Sequence, residues 1–172
     1  MIDDMRLGYF AGVLAIVATG AFAQGAQVNF GGLENDPDAP IEVTSNELQV
    51  NQDEGWAIFT GEVIVGQGAM RLYAPWVKVF YTEGGGDIER VEAKDGVTLI
   101  NGPEAAEGET AVYTLADSMV VMDGNVLVTQ GGSAVSGDRL RANMDTGEAR
   151  VEGRVKSLLT GNDDEEETPS DG

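Results

Sequence analysis

The sequence has no cysteine and no histidine in 172 residues. Without Cys there is no disulfide framework, no zinc finger and no thiol nucleophile. Without His, the side chain most used for acid–base work near neutral pH is missing, and transition-metal sites lose a principal ligand. Basic residues are scarce too. Ten Lys plus Arg stand against 30 Asp plus Glu, a formal charge of −20. That balance excludes a nucleic-acid partner, because a phosphate backbone is held by Lys and Arg. Phosphate-loop, nucleophile-elbow and dinucleotide patterns are absent. The nearest approach, Gly66-Gln67-Gly68-Ala69-Met70-Arg71, has Arg where a third Gly is needed. Gly84-Gly85-Gly86-Asp87 occurs once, whereas calcium-binding nonapeptide turns repeat. A sustained 3.6-residue period is missing beyond residue 23, so helix is expected to be scarce. Together these absences predict no enzyme, no metal and no cofactor.

Apolar residues make up 42% of the chain, enough for a folded core. Residues 7–23 are apolar or small throughout and end in Ala21-Phe22-Ala23. An apolar run closed by this small-residue pattern is the layout of a cleaved secretory signal peptide over 1–23. A transmembrane anchor is the competing reading, but the run is short of the roughly 20 residues needed to span a bilayer. Asp3 and Asp4 fit a signal poorly, so translation is expected to start at Met5, leaving Arg6 before the apolar run. Residues 24–40 read as a loose lead-in, and 161–172, with six acids and no base, as a disordered acidic tail.

From Ile41 the apolar residues alternate with polar ones, the strand period. A glycine landmark recurs at Gly61, Gly96, Gly124 and Gly153, flanked on both sides by alternating runs. A second landmark is a small residue at Ser45, Ala74, Gly108 and Gly137, followed three and five positions on by the next apolar pair. The spacing between landmarks is 16 residues in three copies and 22 in the second, where the glycine turn at 84–86 intervenes. A fourfold repeat of one supersecondary unit results. The apolar set changes parity at each small-residue landmark, which calls for a bulge or corner there. Eight strand segments are expected: 41–50, 56–66, 69–82, 87–100, 105–115, 118–130, 133–144 and 148–160. Bent antiparallel strands feeding two facing sheets make an all-β, twisted jelly roll over 41–160. A parallel β-helix is the alternative.

Two clusters offer chemistry. Glu104, Glu107 and Glu109 read as a solvated acidic loop. Tyr73, Trp76 and Tyr81 read as a packed strand surface, with a sugar site as the alternative. The apolar ladder is more informative. It comprises Ile41, Val43, Leu48, Val50, Phe59, Val63, Val65, Leu72, Val77, Val79, Val97, Leu99, Tyr113, Met122, Val126, Val128 and Leu140. It is either a closed core or the lining of a groove for acyl chains, and periodicity does not separate the two. Two segments are expected to be open sheet edges. The first carries Glu42 and Glu47 and no base; the last carries Arg150, Arg154 and Lys156 against Glu148 and Glu152. Opposite charge favours joining last to first between copies, a head-to-tail homo-oligomer.

The segments 40–48 (Pro-Ile-Glu-Val-Thr-Ser-Asn-Glu-Leu), 59–68, 127–131 and 136–140, in this order and spacing, resemble the OstA-like domain of lipopolysaccharide-transport proteins. The resemblance covers about residues 38–158. It implies a periplasmic protein of a Gram-negative cell, with an apolar groove for the lipid A part of lipopolysaccharide. It implies stacking into a bridge between the inner-membrane partner LptC and the outer-membrane partner LptD. It also implies that Ile41, Val43 and Leu99 face the lipid. A periplasmic β-repeat scaffold without lipid, and a calcium- or polysaccharide-binding β-domain, are the other readings.

Overall fold

The protein, described by a computed structural model over residues 26–29, 39–84 and 86–160, is built almost wholly from antiparallel strands. The signal peptide, the start at Met5 and the disordered tail expected from the sequence lie outside the described residues. The strands are β1 (Ala26–Asn29), β2 (Glu42–Thr44), β3 (Glu47–Asn51), β4 (Trp56–Gln67), β5 (Met70–Tyr81) and β6 (Ile88–Asn101). They continue with β7 (Glu104–Thr114), β8 (Met119–Gln130), β9 (Ser133–Asn143), β10 (Glu148–Glu152) and β11 (Lys156–Leu158). One 3₁₀ turn, Leu115–Asp117, precedes β8.

All eleven strands belong to a single sheet, in the order β1-β10-β9-β8-β7-β6-β5-β4-β2. β3 also pairs β4, and β11 also pairs β9. The reason is a corner in the middle of every chain pass. Ser45-Asn46 separates β2 from β3, and Gly153-Arg154 lies between β10 and β11. β4 to β9 bend without breaking. The register jumps at Thr60/Val63, Lys94/Val97 and Asp123/Val126, so two residues of one strand face one of the next. That is a bulge, and it absorbs the one-residue parity change without turning the apolar side chains outward. The sheet thus folds on itself. A first layer holds β1, β3, β10 and the halves of β4–β9 on one side of the corners. A second holds β2, β11 and the other halves.

The two facing sheets expected from the sequence are therefore two layers of one continuous sheet, which makes a jelly roll that does not close. The eight segments stand where the alternation puts them, with the first and last divided at their corners. The segment 24–40 contains a strand, β1, whose backbone pairs with β10 from Ala26↔Val151 to Asn29↔Glu148. Half of the last edge is consequently covered, not open.

The corners share one construction. Consecutive residues take left-handed φ values: Gly61 (+79°) and Glu62 (+49°), Asp95 (+69°) and Gly96 (+95°), Gly124 (+85°) and Asn125 (+47°), Gly153 (+75°) and Arg154 (+42°). Such backbone costs an L-residue about 1–2 kcal/mol, so each corner needs compensation. Backbone bonds supply part of it, from Asn46 N–H to the Gly61 carbonyl (3.0 Å) and from Asp138 N–H to that of Gly153 (3.1 Å). Side chains supply more. Asn125 Nδ2 donates to Glu109 Oε1 at 2.8 Å, and Arg154 Nη2 to Asp138 Oδ1 at 2.6 Å. In each case the accepting carboxylate side chain, Glu109 or Asp138, lies over the corner glycine of the facing strand, leaving no room for a Cβ at Gly124 or Gly153.

Candidate functional site

The inward side chains form rows that cross the sheet from edge to edge. Leu48, Phe59, Val77, Ala93, Ala111, Met122, Leu140 and Val151 are successive cross-strand partners in the first layer. Val50, Ala57, Val79, Val91, Tyr113, Val120, Ala142 and Ala149 make the row beside it. In the second layer Val43, Val65, Leu72, Leu99, Ala106, Val128 and Val135 form a third row. Val63, Val97 and Val126 stand at the corners, each opposite a small residue: Ala74, Gly108 and Gly137. The valines and alanines fit because two pleated layers meet there, and small side chains let them approach.

Burial changes along the rows. Val77, Met122, Leu140 and Val151 are fully buried, whereas Leu48 and Val50, at the β3 edge, are 58% and 55% exposed. The apolar interior therefore reaches solvent at the β2–β3 side. A hollow of about 850 Å³ opens there, walled by Leu48, Val50, Trp56, Phe59, Tyr81 and the turns at 52–55 and 82–84. Deeper in, Ile41, Val65, Met70, Leu72 and Leu99 of the second layer face Val91, Ala111, Tyr113 and Val120 of the first across an apolar cleft. Its free volume is about 30 Å³. That is room for a water or two, not for an acyl chain. Burial and the nearby Asp145 carboxylate hold the Tyr113 phenol above its ordinary value, so it remains a neutral O–H.

One end of the interior is polar. Gln67, Asn101 and Glu104 are buried in the inward row of the second layer. Gln130 Nε2 donates to Glu104 Oε1, and Gln67 Nε2 donates to the Ala39 carbonyl at 3.2 Å. The acidic cluster read as a loop is thus corrected: Glu104, Glu107 and Glu109 all lie on β7, and Glu104 points inward. A glutamate in an alternating strand gives no sequence signal of burial. The aromatic trio does not converge. Tyr73 is 40% exposed on the outside, Trp76 lies under the Lys94 ammonium at 4.4 Å, and Tyr81 packs against the core. Among the described residues, no three acidic side chains come together as metal ligands.

The charged residues expected at a joint sit apart. Glu42 and Glu47 are exposed on β2 and β3. Arg150 is exposed on β10 and Lys156 on β11. Arg154 is committed within the chain, paired with Asp138 at its corner. Of the ladder residues, Ile41, Val65, Leu72, Leu99 and Tyr113 line the cleft, and Leu48, Val50 and Phe59 the hollow. Most of the others are packed core.

Known proteins are similar to this chain in sequence and in fold. The profile of the family described as LptA/(LptD N-terminal domain) LPS transport protein matches residues 42–148. An uncharacterised protein of Rhizobium meliloti is 36% identical over 156 residues, 84% of each chain. The lipopolysaccharide export system protein LptA of Escherichia coli K12 is 31% identical over 114 residues, 61% of this chain and 60% of that protein. The crystal structure of LptH, the LptA homologous periplasmic component of the lipopolysaccharide transport device of Pseudomonas aeruginosa, superposes with a TM-score of 0.67. It is 19% identical and covers 74% of this chain and 99% of its own.

Proposed function

The chain belongs to the LptA/LptD N-terminal family of lipopolysaccharide-transport proteins, and from that premise we propose that it carries lipopolysaccharide across the periplasm with the acyl chains of lipid A between its two layers. The observation that carries this reading is the set of apolar rows, continuous through the molecule and exposed only where β3 ends the sheet. At about 30 Å³ the cleft is nearly shut. Acyl chains then enter by parting the layers from the β2–β3 side, where Leu48, Val50 and Phe59 already line an opening. Binding of this kind scales with apolar area, at about 25 cal/mol per Å² covered. It has no direction, so a chain can pass from row to row.

In a family of transport-bridge proteins, such rows are useful if they continue from one molecule to the next. β2–β3 of a following copy would run antiparallel to β10–β11, as β2–β3 does to β4 within the chain. Glu42 and Glu47 would then meet the side carrying Arg150 and Lys156. The same edges would serve LptC at the inner membrane and LptD at the outer.

Photocrosslinking in cells tests the ligand. A photoreactive residue at Leu99 or Tyr113 is expected to yield a lipopolysaccharide adduct, and one at Ile64 on the outer face is not. Adducts at neither inward position would leave a packed scaffold without lipid.

A further inference from the structure

β1 carries the same sequence as β3 in three positions of four: Ala26-Gln27-Val28-Asn29 against Leu48-Gln49-Val50-Asn51. The likeness extends to register. On β4, Leu48, Val50 and Asn51 stand opposite Phe59, Ala57 and Trp56. On β10, Ala26, Val28 and Asn29 stand opposite Val151, Ala149 and Glu148. Phe59 and Val151 each lie two residues before a corner glycine, Gly61 and Gly153. β10 is therefore the repeat counterpart of β4, and β1 lies on it in the register of β3. The place β1 fills is that of the first strand of a fifth unit. In a head-to-tail joint, that place falls to β3 of the next copy.

We propose that β1 is an internal copy of β3 that occupies the first-layer edge of β10 in the single molecule and is displaced by β3 of a second copy on assembly. This regulation rests on the head-to-tail reading above. Three features favour exchange over permanent closure. β1 covers β10 alone, and among the described residues β11 pairs only with β9. An incoming copy brings β2 and β3 together, so its β2 can settle on β11 as a toehold before β3 replaces β1. The incoming strand also brings Leu48 to the register position of Ala26, and that side chain, 58% exposed in the free molecule, would be buried there. Until that exchange, the free molecule has no complete acceptor edge, which limits edge-to-edge association of stray copies.

The absence of cysteine makes a direct test possible. Asn29→Cys with Glu148→Cys places two thiols at partnered positions, within the Cα separation a disulfide spans. Oxidation is expected to give an intramolecular disulfide. The oxidised molecule should remain monomeric in sedimentation at concentrations where its own reduced form assembles. Deletion of residues 26–29 should lower the concentration midpoint of assembly about tenfold, the factor for an edge that is closed in about nine-tenths of molecules. Equal assembly of oxidised and reduced forms would overturn the proposal, as would a midpoint unchanged or raised by the deletion. A disulfide found only between molecules would do the same. If no form assembles at any concentration, the head-to-tail reading falls and the exchange with it, while the intramolecular disulfide would still report the β1–β10 pairing.

Discussion

At the scale of single residues, the corners decide what the chain tolerates. Gly137 is the small landmark of the fourth unit. A Cβ there would stand 2.9 Å from the Glu152 carbonyl oxygen and 3.0 Å from that of Gly153. Both are backbone atoms, so neither can swing aside. Gly137→Ala is expected to cost about 1–3 kcal/mol, read as a lower thermal midpoint. The second unit carries Ala at the equivalent place, Ala74, and at Gly108 of the third a Cβ would stand 3.3 Å from the Asp123 carbonyl oxygen, so the crowding is most severe in the edge unit. Asp138 gives a pH test. The hydrogen bond from Arg154 holds its carboxyl below the ordinary 3.8. A depressed folded value means stability that is present above about pH 4 and lost as the pH falls through the lowered value. Asp138→Asn should therefore lower the thermal midpoint at neutral pH. The difference from the parent should vanish in stronger acid, and a difference that persists there would assign the effect to packing. Both groups are at the surface, so the change in thermal midpoint is expected to be small.

At the scale of elements, β3 is where stability and the proposed ligand capture are expected to separate. Leu48 and Val50 are inward in register yet more than half exposed. Leu48→Asp with Val50→Asp should change unfolding by no more than about 1 kcal/mol, while abolishing crosslinking of lipopolysaccharide at Leu99. Leu140→Ala, in the same kind of row but 1% exposed, is expected to cost about 2–5 kcal/mol. The sequence made the strands legible because alternation persists for ten residues at a time and the landmarks repeat. It made the corners legible because a parity change has few structural solutions. β1 escaped since four residues carry too little periodicity; the signal that reveals it is its match to β3. Glu104 escaped because its burial depends on Gln130, a partner 26 residues away. The division of the ladder into packed core and cleft wall follows from how far the layers part, which a period of two does not encode.

At the scale of the whole molecule, charge and apolar surface do different jobs. Residues 24–160 hold 9 basic and 22 acidic residues, a balance of 9 − 22 = −13. A lipid with an anionic head would gain nothing from that field, so in the proposed carrier the grip would come from the interior rows. Assembly is where charge can act. Reversing Arg150 and Lys156 together should weaken self-association in light scattering, with the loss reduced in high salt. Reversing Arg154 should mainly lower the thermal midpoint, because its partner Asp138 is in the same chain. Equal effects of both changes on assembly would count against this division.

Among the described residues the chain makes eight full passes across its sheet, counting β2–β3 and β10–β11 as one pass each beside β4 to β9 and setting aside the half pass β1. Eight is even, and adjacent passes alternate in direction. A second copy continuing the sheet therefore keeps the orientation of the first, whereas an odd number would turn every other copy around. A stack of such molecules has distinguishable ends, and any cargo moving along it meets the same surfaces in the same order at each step. The joint, last strand to first, sets the direction of such a path, and the even number of passes keeps every copy the same way round along it.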